Sequence, residues 1–371
     1  MEKNRLQFRK TNIELLRIVL MLMIIAHHYV VNSGLTELYN YQNPTLKMYF
    51  FQCFGAFGKI GVNCFVLITG YFMITSSFSF KKWLKLYLEV KFYSLLIYFV
   101  FLAFGGIEFN YHGFLENLFG VVFGIGTNYA ETFLVLYLLI PFLNMLAKNL
   151  NFRMYSIMLG ILLVVMTMIP SFSLFLSIMD ASNDTWNYLL WMIVMYLLGG
   201  YIRTYGHQLY ERAHLNKTKA KAWFFVCNLL LIFIWIAFYD LFGAKYSLGS
   251  SYWFVNDANK LLALTCSISM LILFLSFDIK HSKLINGVAA TTFGVFLIHT
   301  SGDYMRSFLW GTVFNVTETY QSPNAVIKAI ISVALVFVGC AVIDYLRMQY
   351  LEKPLFDRLE NCFFKKKDNT M

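Results

Sequence analysis

Runs of about twenty apolar residues recur along this chain, parted by short polar turns, and that spacing leaves few folds open. A bilayer core about 30 Å thick is crossed by about 20 residues of helix, and only helices or closed barrels satisfy every backbone N–H and C=O there. Ten segments read as membrane helices: residues 12–31, 50–75, 84–104, 130–147, 153–170, 186–203, 221–242, 258–277, 288–304 and 325–346. The apolar segment 113–125 is shorter than a span and reads as an interfacial or re-entrant piece. Of the 371 residues, 59% are hydrophobic and 13% are charged, against roughly 25% charged in soluble domains. An all-α polytopic membrane protein is expected, a single integral domain over 1–371 with a basic tail at 347–371.

The formal charge of +10 invites thoughts of nucleic acid, but its distribution argues for topology. Lys3, Arg5, Arg9 and Lys10 precede the first segment, and every second connection is basic. These connections carry Lys81, Lys82 and Lys85; Lys148 and Arg153; Arg203, Arg212, Lys217, Lys219 and Lys221; and Lys280 and Lys283. The tail adds Arg347, Lys353, Arg358 and Lys365 to Lys367, whereas the stretches 105–129 and 171–185 contain no Lys or Arg. Basic residues collect on the cytoplasmic side, so both termini are expected there, with the lipid bilayer and not nucleic acid as partner. The six cysteines show no CxxC pairing and five sit in apolar surroundings, so neither a disulfide framework nor a metal site is expected.

The first segment carries ionisable residues that insertion alone would disfavour: Glu14, Arg17, His27 and His28. Such groups usually face a bundle interior or a wet cavity. Arg17 and His28 are eleven residues apart, which is three helical turns plus about 20°, so they share one face roughly 16 Å apart. Glu14 sits one turn from Arg17, placed to offset its charge or to orient its guanidinium toward an anion. The adjacent His27 and His28 point about 100° apart, and His28 shares the Arg17 face. A neutral imidazole is a natural general base. In the second segment Asn63 and Thr69 are polar groups among Gly58, Gly61 and Gly70, which permit close helix approach. Lys82 and Lys85 share a face at the start of the third segment, where they serve orientation or bind a polyanionic donor. His299 ends an apolar run and is a candidate for the same cavity as His28, while Asp344 and Arg347 read as a structural pair.

Five blocks, IELLRIVLMLMIIAHHY, GVNCFVLITGYF, ETFLVLYLLIPFLN, FGVFLIHT and DYLRMQYLEKPL, occur in this order along nearly the whole chain. Together they resemble the type-3 membrane acyltransferases, which modify envelope sugars. The resemblance implies ten helices with both termini cytoplasmic. It implies transfer of an acyl group, usually acetyl, from acyl-coenzyme A to a hydroxyl of a cell-envelope or extracellular polysaccharide at a bacterial plasma membrane, with envelope-biosynthesis proteins as possible partners. Arg17 and His28 fall on the family's Arg-x10-His pair and Glu14 joins them as a catalytic candidate. Lys82 and Lys85 replace its coenzyme A-binding Arg-x-x-Arg, and Thr69 replaces a serine. His27, Asn63, Thr69 and His299 are candidates for contacting substrate. The competing reading is a transporter or exporter with a proton-linked His28, which the same helix face would suit.

Overall fold

The computed structural model describes residues 10–123, 128–176 and 187–359. Lys3, Arg5, Arg9 and the tail beyond 359 lie outside the described residues, as do parts of the stretches 105–129 and 171–185 that lack Lys and Arg.

Seventeen helices follow one another, with no strand among the described residues. They are α1 (Thr11–Val31), α2 (Leu46–Gly55), α3 (Gly58–Met73), α4 (Phe80–Ala103), α5 (Tyr111–Phe123), α6 (Tyr129–Asn149), α7 (Phe152–Leu163), α8 (Ile169–Leu176) and α9 (Tyr188–Arg212). After them come α10 (Thr218–Phe238), α11 (Leu261–Leu275), α12 (Lys283–Ala290), α13 (Thr292–His299), α14 (Gly302–Ser307), α15 (Val316–Gln321), α16 (Ala325–Arg347) and α17 (Lys353–Leu359). Polar residues set several starts: the side chains of Thr45, Asn128, Asn151, Asn187 and Ser282 accept hydrogen bonds from backbone amides of the first turn, relieving donors that have no intrahelical partner.

Among the described residues, seven helices are long and apolar enough to cross a membrane, or eight if the bent pair 283–299 and 302–313 counts as one. Each of the ten expected segments corresponds to helix, but not all as simple spans. The second is broken near Ala56 and Phe57 into α2 and α3. The fifth continues from α7 through a π-helical stretch, Val164–Met168, into α8. The sixth, α9, carries Trp, Tyr and paired Gly where lipid-facing helices carry aliphatics, and nearly half of it is buried. The eighth, α11, has 15 residues, about 22 Å at 1.5 Å per residue and short of a full crossing. The ninth is divided into α12 and α13, after which the chain turns by 101° into α14. Of the segment 113–125, residues 113–123 lie in α5, a short helix packed on α4 and α6, and the last two fall outside the described residues.

Glycine sets the centre of the bundle. A Cβ on Gly70 would overlap the carbonyl of Tyr196, and one on Gly199 would overlap that of Leu67, so α3 and α9 meet backbone to backbone. Gly61 receives Ile24 of α1 in the same way. Asn63 fastens the contact: its Nδ2 donates to the carbonyl of Ala258 at 2.7 Å, and the indole of Trp191 donates to its Oδ1 at 2.9 Å. Helix α1 lies in the interior, against α2, α3, α11, α12, α13 and α16.

Enlarging Gly70 or Gly199 to Leu is expected to cost about 3 kcal/mol or more, because neither backbone neighbour can give way. Gly160→Leu, where a Cβ meets nothing within 4 Å, should be tolerated. Thermal unfolding and gel filtration in detergent would compare the three; equal behaviour would refute this account of the α3–α9 contact.

Candidate active site

The ionisable residues of α1 are divided between two places. Near its start, Arg17 lines a cavity of about 140 Å³ walled by α1, α3, α4, α6, α12 and α13. Its Nη1 lies 3.7 Å from Glu14 Oε2, its side chain is 32% exposed, and its Nε has no hydrogen-bond partner among the described residues. The guanidinium is therefore held at one edge and open at another, as anion recognition requires. Thr69 lines the same cavity and donates its hydroxyl to the carbonyl of Phe65, one turn back. Leu86, adjacent to Lys85 and one turn beyond Lys82, also lines it.

Near the other end of α1, three histidines gather. Nδ1 of His299 lies 2.6 Å from the carbonyl of Val295, and its Nε2 lies 3.1 Å from Nδ1 of His28. A carbonyl only accepts, so Nδ1 of His299 carries a proton, and in the neutral ring Nε2 is then an acceptor. His28 must donate from Nδ1 to reach it. The chain Val295–His299–His28 thus fixes the tautomer of His28 and leaves its Nε2 with a free lone pair, the arrangement of an oriented base. His299 is wholly buried whereas His28 is partly exposed, so His299 supports and His28 is presented.

His27 is oriented differently. Its Nδ1 donates to the carbonyl of Gly55 at 2.6 Å, and its ring fills the space a Cβ on Gly58 would take. It plugs the break between α2 and α3. Asn63, 1% exposed and bonded to α9 and Ala258, is likewise committed to packing. Lys82 is exposed, and Lys85 is ion-paired to Glu352. That pair belongs to a buried cluster in which Arg347 reaches Asp344 at 2.8 Å, Glu352 at 2.8 Å and Glu89 at 3.0 Å, with Tyr93 donating to Asp344. The Asp344 carboxylate rests where a Cβ on Gly294 would be, which locks α16 to α13, the helix of His299.

A second buried pair escaped the sequence reading. Lys91 of α4 meets Glu131 of α6 at 2.8 Å, with side chains 8% and 5% exposed. The available signal was a charge in the middle of the third apolar run, Lys91, and another at the start of the fourth, Glu131; nothing in sequence spacing joins positions forty residues apart. The pair borders a polar cavity of about 460 Å³, formed by α4, α5, α6 and the turn from α13 to α14. Phe296 alone, among the described residues, lines both cavities, and its ring packs edge-on against Tyr129 at 5.2 Å.

Residues 10–345 match the family model described as an acyltransferase domain, that of the acyltransferase 3 family. The chain belongs to this family of membrane acyltransferases. No curated protein and no solved structure shows significant similarity to it.

Removing one partner from a buried charge network strands the others. Arg347→Met should therefore destabilise the protein by about 3–5 kcal/mol, read as a lowered melting temperature in detergent. A double variant that also changes Asp344→Leu should recover part of the loss.

Proposed function

We propose that this chain is a membrane O-acyltransferase that moves an acyl group, acetyl being the simplest candidate, from acyl-coenzyme A to a sugar hydroxyl of an envelope or extracellular polysaccharide. We read ten crossings, with α9 and α11 completing the count inside the bundle, and both termini on the cytoplasmic side of a bacterial plasma membrane, where the basic connections collect. In this orientation Arg17, Lys82 and Lys85 lie toward the cytoplasm and His28 toward the far side, so that one face of α1 joins donor to acceptor.

The observation that carries the reading is the imidazole chain that leaves Nε2 of His28 unprotonated. The sugar hydroxyl gives its proton to this nitrogen as its oxygen attacks the thioester carbonyl carbon. The C–S bond then breaks, and the departing sulfur takes the proton from the imidazolium, so that ester and free coenzyme A result. His299 stabilises the imidazolium through the hydrogen bond it accepts. Arg17, with an unused Nε, steadies the phosphate–pantetheine part of the donor or the thioester oxygen as charge develops there. Lys82 and Lys85, both exposed, are the cations for the donor phosphates, Lys85 being also paired with Glu352.

The test is the ester content of envelope polysaccharide in cells carrying wild type, His28→Ala or Arg17→Ala at matched membrane levels. Both variants should lose the ester, with activity falling by about a hundredfold or more, the usual contribution of a positioned base. His299→Gln, which keeps an acceptor for His28 but lacks the ring, should retain partial activity. Unchanged ester, with failed uptake or export of a solute, would instead establish a transport path.

A further inference from the structure

The polar cavity beside Lys91 and Glu131 has no part in the chemistry above, yet it is built like a binding site. Its volume of about 460 Å³ falls within the range of about 300–1,000 Å³ typical of small-molecule pockets. Its floor is rigid: Lys91 is bonded to Glu131 and to the backbone carbonyl of Asn117, and Ser94 donates to the Asn117 side chain at 2.6 Å. Gly120 lets α5 close over the pair, since a Cβ there would press on the Glu131 carboxylate. One oxygen of this carboxylate receives Lys91, while the other, Oε2, is buried and has no hydrogen-bond partner among the described residues. A buried carboxylate oxygen left without a donor is costly, and a ligand hydroxyl would satisfy it.

We infer that this cavity is the acceptor subsite, and that it selects an uncharged or amino sugar ring over an anionic one. The inference rests on the acyltransferase reading above. Leu297 and Thr300, which flank His299 in α13 and the turn after it, both line the cavity, so a ring held there lies beside the helix that orients the base. Phe296 and Tyr304 supply aromatic faces for the C–H side of a pyranose, and Glu131 accepts from its hydroxyls. Three carboxylates, Glu116, Glu131 and Asp303, are among the lining residues, and no described Lys, Arg or His is. Glu131 is paired with Lys91 and Asp303 with Arg306, so Glu116 is the lining carboxylate without an ion-pair partner among the described residues. With no described cation lining it to receive an anion, the cavity disfavours a uronate or a sugar phosphate and accommodates neutral or cationic rings. Phe296, shared with the Arg17 cavity, parts acceptor from donor.

The experiment has two arms, both on the full chain. In source cells with and without it, mass spectrometry identifies which sugar carries the added ester. In detergent or nanodiscs, KM values for the isolated glycan and for acetyl-coenzyme A are measured for wild type, Glu131→Gln and Ser94→Phe; the last places a ring in the cavity without unpairing a buried charge. The ester is expected on a neutral or amino sugar. Both variants should raise the glycan KM by about tenfold or more, with the acetyl-coenzyme A KM unchanged. An ester on a uronic acid or phosphate-bearing residue, or an unchanged glycan KM in both folded variants, overturns the inference while leaving the acyltransferase reading intact. No ester difference between the two cell lines would remove that reading, and this inference with it.

Discussion

The close approach of α3 to α9 sets the frame for the rest of the molecule. Lipid offers helices no hydrophobic reason to associate, so association depends on shape. Gly70 and Gly199 let two backbones touch, and Asn63 with Trp191 supplies a polar fastening where an unpaired amide would be costly. Along the same helix, Gly61 and Gly58 receive Ile24 and His27 of α1. α1 is thereby fixed in rotation, and its His28 is brought to the end of α13.

Charge cooperates with this packing. The Arg347 cluster ties α16 to α4 and to Glu352, just before the short α17, and its Asp344 seats against Gly294 of α13. Buried ion pairs contribute little net stability, but they define register because a displaced partner leaves a bare charge in a low dielectric. Two such networks, around Arg347 and around Lys91 with Glu131, both involve α4.

The site follows from this frame. Arg17 is kept partly open in a narrow cavity, His28 is held in one tautomer, and the aromatic ring of Phe296 stands between that cavity and a larger polar one. On the acyl-transfer reading proposed above, such separation serves two substrates of different polarity, since water near a thioester would compete with the acceptor hydroxyl.

Much of this was legible in the chain. Apolar length dictates helix, because the bilayer leaves backbone groups no other partner, and ionisable residues in the first run mark a site because insertion penalises them without a compensating role. That reasoning singles out Arg17 and His28 as candidates, and helical period alone puts them on one face. Other features depend on residues far apart in sequence. Helical spacing separates His28 from His27 by face, but not their partners; the carbonyl of Gly55 claims His27 and His299 claims His28. Asn63 reads from the sequence as a candidate substrate contact, and the structure commits its amide to Trp191 and Ala258; Lys85 reads as an orienting or donor-binding cation, and the structure also pairs it with Glu352. Lys91 and Glu131, which nothing in sequence spacing connects, are paired only by folding. The sequence by itself thus determined that the chain is helical and membrane-embedded, and which residues are too expensive to be idle. Only the tertiary structure decided which of those residues meet, because a hydrogen bond or ion pair has a range of about 3–4 Å and the partners come from helices that sequence order does not place together.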